Sequence, residues 1–202
     1  RGDIVNERLT IDEVPDRLQW AILSTEEANF RTNKGVDIFG IARSFTCIGG
    51  NYLSGKRSFD GCGGGSTVTQ QLIKLTTGND DRSAERKITE AILAMNVEQK
   101  YSKDEILEYY LNIVPEGSEL VGIKSGAKYL FGKEDLSTLT LAEMAYLAGI
   151  PNQPNVYSPI GGKYDPIQSQ ERAAFVLDRM YENRDKSGVT KEEIDAAKAD
   201  LP

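Results

Sequence analysis

The sequence predicts a mainly α protein on three observations. Four signatures, Thr67-x-x-Gln70, Ser102-x-x-Glu105, Thr140-x-x-Glu143 and Thr190-x-x-Glu193, stand where a capping box would open a helix. The apolar residues near them recur at helical spacing. Alternating runs of the kind that mark strands are scarce. In chain order, Pro15 reads as a first-turn proline, and Leu18, Ala21, Ile22 and Thr25 share one face of a helix that leaves Glu26 and Glu27 near its end. The glycine-rich stretch from Thr46 to Gly65 has no periodicity and reads as a long mobile loop. The Thr67 box opens a helix through Val68, Leu72 and Leu75 that ends near Gly78, and Asp80 or Asp81 caps the next. There Ile88, Ala91, Ile92 and Met95 have the spacing of a buried stripe. Arg82, Arg86 and Glu90 form a charged stripe off that face, with Lys87 beside it. Further helices are expected through Ile106, Leu107, Tyr110 and Leu111, from Thr140 to Gly149, from Asp165-Pro166 to about Tyr181, and after Thr190.

A chain of 202 residues, 39% hydrophobic and 27% charged, is ample for one core and is read as a single domain, 1–202. No apolar run approaches the roughly 18 residues that a spanning helix needs. The chain opens on Arg1 without a leader, so it reads as a segment of a longer parent whose anchor lies upstream. A formal charge of −7 argues against generic nucleic-acid binding. Histidine is absent, which leaves acid–base work to Glu, Asp, Lys or Tyr. Cys47 and Cys62 are too few for a thiolate metal site. A bridge between them would close a loop worth about 3 kcal/mol in an oxidising compartment, with two free thiols as the alternative.

Three blocks carry the chemistry: Glu26-Glu27-x-x-Phe30, the run from Gly64 through Ser66, Thr67, Gln70 and Gln71 to Lys74, and Arg86-Lys87-x-x-Glu90. Taken singly, each has an ordinary reading: a charged stripe is most often a solvated, salt-bridged face, and a glycine-rich loop is most often simply flexible. Taken together, they describe two carboxylates with fixed cations. Arginine offers paired donors to phosphate, and a helix start preceded by glycines exposes backbone N–H groups to an anion. Gln70 and Gln71 suit sugar hydroxyls. Gly50 to Lys56 nearly spells a nucleotide-binding loop, but Arg57 stands where Ser or Thr must hold magnesium.

These blocks, in order, resemble the peptidoglycan glycosyltransferase domain, glycosyltransferase family 51, of class A penicillin-binding proteins and monofunctional cell-wall polymerases. The resemblance continues through Ser102–Asn112, Ala127–Lys133, and Leu139–Pro151 with Pro154 and Tyr157-Ser158-Pro159. It implies a lysozyme-like helical fold with a smaller membrane-proximal lobe, acting on the extracytoplasmic face of the cell membrane. The substrates it implies are lipid II and the growing glycan strand. Glu26 is expected to be the catalytic base and Glu90 the second catalytic glutamate, serving as an orienter of cations or as a ligand for Mg or Mn. Substrate contacts are expected from Glu27, Phe30, Ser66, Thr67, Gln70, Gln71, Lys74, Arg82, Arg86 and Lys87. No organic cofactor is called for, and a transpeptidase domain would follow Pro202 in the parent. Asn33 stands where the family commonly has histidine, and the Cys-bearing insertion is longer than expected. Two other readings are a glycosidase or lytic transglycosylase, which would leave the cations idle, and a wall-precursor-binding module without turnover. Ser125-x-x-Lys128 imitates an acylation motif but lies inside a block that the polymerase resemblance explains.

Overall fold

The computed structural model describes residues 8–37, 66–78 and 84–202. The Thr46 to Gly65 loop, Cys47, Cys62, Asp80, Asp81 and Arg82 lie outside them. The chain is mainly α, with two compact units: Arg1–Ala28 with Leu107–Pro202, and Asn29–Ile106.

The first unit is built on α6 (Leu141–Gly149), opened by the Thr140–Glu143 capping box and buried along nearly its whole length. Two longer amphipathic helices pack on it and on each other, α1 (Asp16–Glu26) and α8 (Pro166–Glu182). The first contributes Leu18, Ala21, Ile22 and Leu23, and the second Ala173, Val176, Leu177 and Met180. Pro15 is the N-cap of α1 rather than a first-turn residue, its ring fixing the entry dihedral. Asp165 caps α8, its carboxylate accepting from the N–H groups of Ile167 and Gln168. Thr190 boxes α10 (Lys191–Ala199), which packs on α8, and α9 (Arg184–Ser187) is a single turn.

Several elements of this unit carry no advance signal. An antiparallel hairpin pairs β1 (Pro115–Gly117) with β2 (Leu120–Val121). The helix α5 (Ile123–Phe131) opens on Gly122, which offers no capping side chain, so its start is silent in the sequence. A short α7 (Pro154–Tyr157) follows the turn at Pro151.

In the second unit α2 (Val68–Thr77) packs on α3 (Ala84–Lys100). Gly78 closes α2 in the left-handed conformation, as its position past the last apolar residue predicts. The expected buried stripe of α3 is corrected by the structure. Ile88 and Ile92 are 62% and 50% exposed, and Met95 is exposed as well. The buried positions are Glu90 and Ala94, with Arg86 partly covered. Periodicity identified two faces correctly, but the charged one is turned inward. The physical reason is local neutralisation, because Arg86 pairs with Glu90 and so offsets part of the cost of burying either charge. Gly35, at φ 87°, admits this helix, for a Cβ there would sit 2.9 Å from the Ala94 carbonyl oxygen. Helix α4 (Lys103–Ile113), opened by the Ser102–Glu105 box, runs across the boundary between the units.

Candidate functional site

In the second unit the chain brings Ser66, Arg86, Lys87 and Glu90 together. Glu90 is only 4% exposed. Arg86 donates to its Oε1 from one helical turn earlier, and the Lys87 amine lies 2.9 Å from Oε2. The same amine donates to Ser66 Oγ at 2.8 Å, so one lysine joins the segment before α2 to the first turns of α3. A carboxylate held by two cations fixes their positions and leaves a net positive group. That is the electrostatic preparation a departing anion requires. The alternative of a solvated salt-bridged face does not describe an ion pair whose arginine and glutamate side chains are 11% and 5% exposed.

Thr67 and Gln70 are placed differently from direct sugar contacts. Thr67 N donates to Gln70 Oε1 at 2.9 Å, Gln70 N donates to Thr67 Oγ1 at 3.1 Å, and the Thr67 hydroxyl donates to Gly35 O at 2.8 Å. Both residues are buried, and they shape the junction that presents Ser66. Gln71 is half-buried and Lys74 is exposed on α2.

Phe30 is buried with the Lys103 amine 4.5 Å from its ring centre, a cation–π contact. Lys103 also pairs with Glu98 at 2.6 Å and donates to Asn33 Oδ1 at 3.0 Å, while Glu98 accepts from the Thr69 hydroxyl. Asn33 Oδ1 further accepts the Gly35 N–H at 2.7 Å. Asn33 therefore joins the first sequence block to α4 through Lys103, which in turn pairs with Glu98 of α3, and these bonds need no titrating ring.

The Glu90 carboxylate faces two cations, and among the described residues no group of three or more His, Cys, Asp or Glu side chains is placed to hold a metal ion.

In the first unit Glu26 ends α1 with its side chain 13% exposed, and buried Glu27 follows, its N–H donating to Leu23 O. The free carbonyls and partial negative charge of a helix C-terminus disfavour carboxylates. The end of α1 meets cations from α8 and α9. Arg179 Nε donates to Ser24 O at 3.3 Å, Lys186 Nζ donates to Ala28 O at 2.9 Å, and Arg172 Nη2 stands 3.6 Å from Glu26 Oε1. Nearby, Tyr110 is fully buried, and burial, reinforced by the charges of Glu26 and Glu116, holds its hydroxyl well above the ordinary phenol range. Glu116 is also fully buried, and burial pushes its carboxyl well above the usual carboxylate range. Neither of its oxygens has a hydrogen-bond partner among the described residues.

Sequence reasoning missed Arg172, Glu116 and the Glu98–Lys103 pair. Arg172 lies on a helix of which the sequence marks only the extent, and its partner Glu26 is remote in sequence. Glu116 follows a proline in a segment without periodicity.

The chain belongs to the transglycosylase family, whose model, described as Transglycosylase, matches residues 3–181. It is 39% identical over 181 residues to penicillin-binding protein 1A of Neisseria flavescens, covering 90% of this chain and 21% of that protein. To penicillin-binding protein 1A/1B of Bacillus subtilis it is 37% identical over 172 residues, 85% of this chain and 18% of that protein. The chain thus spans about a fifth of the length of the curated relatives it matches. Among solved structures, penicillin-binding protein 1A from Haemophilus influenzae aligns over 67% of this chain and 16% of its own, at 33% identity and a TM-score of 0.41.

Proposed function

We propose that this chain polymerises lipid II into glycan strands by inverting transfer from a polyprenyl-pyrophosphate-linked donor. The observation that carries the reading is the buried Glu90 held by Arg86 and Lys87 beside Ser66, in a chain of transglycosylase ancestry. Glu26 takes the proton from the acceptor's sugar hydroxyl as that oxygen attacks the donor's anomeric carbon. The bond from that carbon to the pyrophosphate oxygen breaks, and the diphosphate leaves with both bonding electrons. No strong acid is needed for such a leaving group, but its growing charge must be met by fixed cations. Arg86 and Lys87 supply them, Glu90 holds them in place, and Lys74 and Arg82 add donor contacts. Ser66 and Gln71 offer neutral hydrogen bonds to the sugars, while Thr67, Gln70, Phe30 and Glu27 keep the surrounding backbone in place.

The exposed apolar residues of α3, Ile88, Ile92 and Met95, suit a helix that rests on the lipid surface from which the substrate is drawn. Among the described residues no helix is long and apolar enough to cross a membrane. The proposed setting is the outer face of the cell membrane, in a longer parent for which we also propose a membrane anchor and a transpeptidase domain, since its relatives are named penicillin-binding proteins and are about five times its length.

The test is product direction. Purified chain given lipid II should yield glycan that lengthens with time, while given cell-wall sacculi it should release no muropeptides. Muropeptide release would favour a lysozyme-like hydrolase, and lipid II binding without polymer would favour a binding module.

A further inference from the structure

We infer that Arg172 is a positioning residue for Glu26, holding one oxygen of that carboxylate so that the other meets the acceptor hydroxyl. The inference rests on the proposed role of Glu26 and adds a residue outside the blocks that suggested it. Of the cations at the end of α1, Arg179 and Lys186 are engaged by backbone carbonyls, as helix ends require. Arg172 instead reaches a side-chain carboxylate, at 3.6 Å from Oε1, with the two side chains 15% and 13% exposed. That separation is just beyond hydrogen-bond range, yet close enough for the guanidinium to attract the carboxylate electrostatically between two largely covered side chains.

The path of the arginine is built. Its stem crosses Gly149, where a Cβ would lie 3.0 Å from Arg172 Cγ, and its guanidinium carbon lies 5.2 Å from the Phe175 ring centre. Stem and head are thereby fixed on rigid helices, α6 and α8. Glutamate has three side-chain torsions, and an unguided carboxylate at a helix end would sample several rotamers. Misplacement of a reacting group by about 1 Å costs on the order of 10²-fold in rate.

Arg172→Met retains much of the apolar stem packed on Gly149 and Phe175 while removing the charge. In the 202-residue chain it should lower kcat for lipid II by roughly 10- to 100-fold with KM changed less than about twofold. Arg172→Lys should recover part of the loss. Millimolar guanidinium should raise the turnover of Arg172→Ala but not that of Glu26→Gln. A substrate-free readout separates this inference from the polymerase reading. The ¹³C signal of the Glu26 carboxyl, assigned by its loss in Glu26→Gln, should move in Arg172→Met and return toward its original place in Arg172→Lys. An unmoved carboxyl signal overturns the inference, whether or not lipid II is turned over. A loss of folded protein or a rise in KM, with kcat per folded molecule unchanged, overturns it equally. A wild-type chain that makes no polymer overturns the polymerase reading instead, and the carboxyl signal still decides whether Arg172 holds Glu26.

Discussion

Glu26 and Glu116 are two carboxyls of one unit with opposite circumstances. Glu26 faces a guanidinium and keeps 13% of its side chain exposed. Replacing it by Gln should reduce polymer formation by at least ~10²-fold while leaving the melting temperature nearly unchanged, as checked by turnover and thermal unfolding together. Glu116 is sealed from water, and its raised carboxyl gives stability a definite pH dependence. Its folded-state proton affinity exceeds that of the unfolded chain. As pH rises above about 4.3, the unfolded state releases the proton while the native state keeps it, and stability falls. The slope from this group is about 1.4 kcal/mol per pH unit until the native carboxyl itself ionises. Glu116→Gln should therefore gain on the wild type as pH rises from 4 to 7, measured by denaturant unfolding at each pH. A difference that stays flat across that range would show that Glu116 is not held protonated. None of this was legible in the sequence. Arg172, Tyr110 and Glu116 reach the neighbourhood of Glu26 by tertiary packing, and no local pattern records that.

Helices tell a different story, because their caps are local chemistry. The Thr67, Ser102, Thr140 and Thr190 boxes all form as the spacing predicts, each joining a side chain to backbone groups within the same turn. Thr67→Ala should cost about 1 kcal/mol by denaturant titration, and somewhat more because its hydroxyl also holds Gly35. The same reasoning could not tell which face of α3 is buried. Hydrophobic spacing says which residues share a face, whereas the choice of face depends on what packs against it and on whether charges can neutralise one another. With Arg86 and Glu90 paired inward, Ile88 and Ile92 are left outside. Ile92→Asp should weaken sedimentation with anionic lipid vesicles several-fold without lowering stability, since the side chain it replaces is half exposed. Were α3 packed by its apolar face in solution, the same substitution would instead unfold the second unit. Gly149→Ala tests the other helical joint. The added methyl must displace the Arg172 stem, so turnover should fall toward the level of Arg172→Met, with a smaller loss of stability than a cavity in the core would cause.

At the scale of the whole chain, the unit of Arg1–Ala28 and Leu107–Pro202 carries Glu26, the proposed base, with Arg172, and the unit of Asn29–Ile106 carries Arg86, Lys87 and Glu90, the proposed cation cluster. A formal charge of −7 coexists with that positive cluster because Arg86 and Lys87 are concentrated around one buried carboxylate while acidic residues are spread through the chain. A net charge therefore argues against generic nucleic-acid binding while saying nothing about a local cluster suited to phosphate. If the chain elongates glycan by expelling a diphosphate, as proposed, the electrophoretic pattern of products from purified chain and lipid II, wild type beside Glu26→Gln, should show it at once. A ladder of lengthening strands is expected from the wild type and none from the variant. A ladder of equal intensity from both, or no strand from either under conditions where lipid II binds, would contradict it.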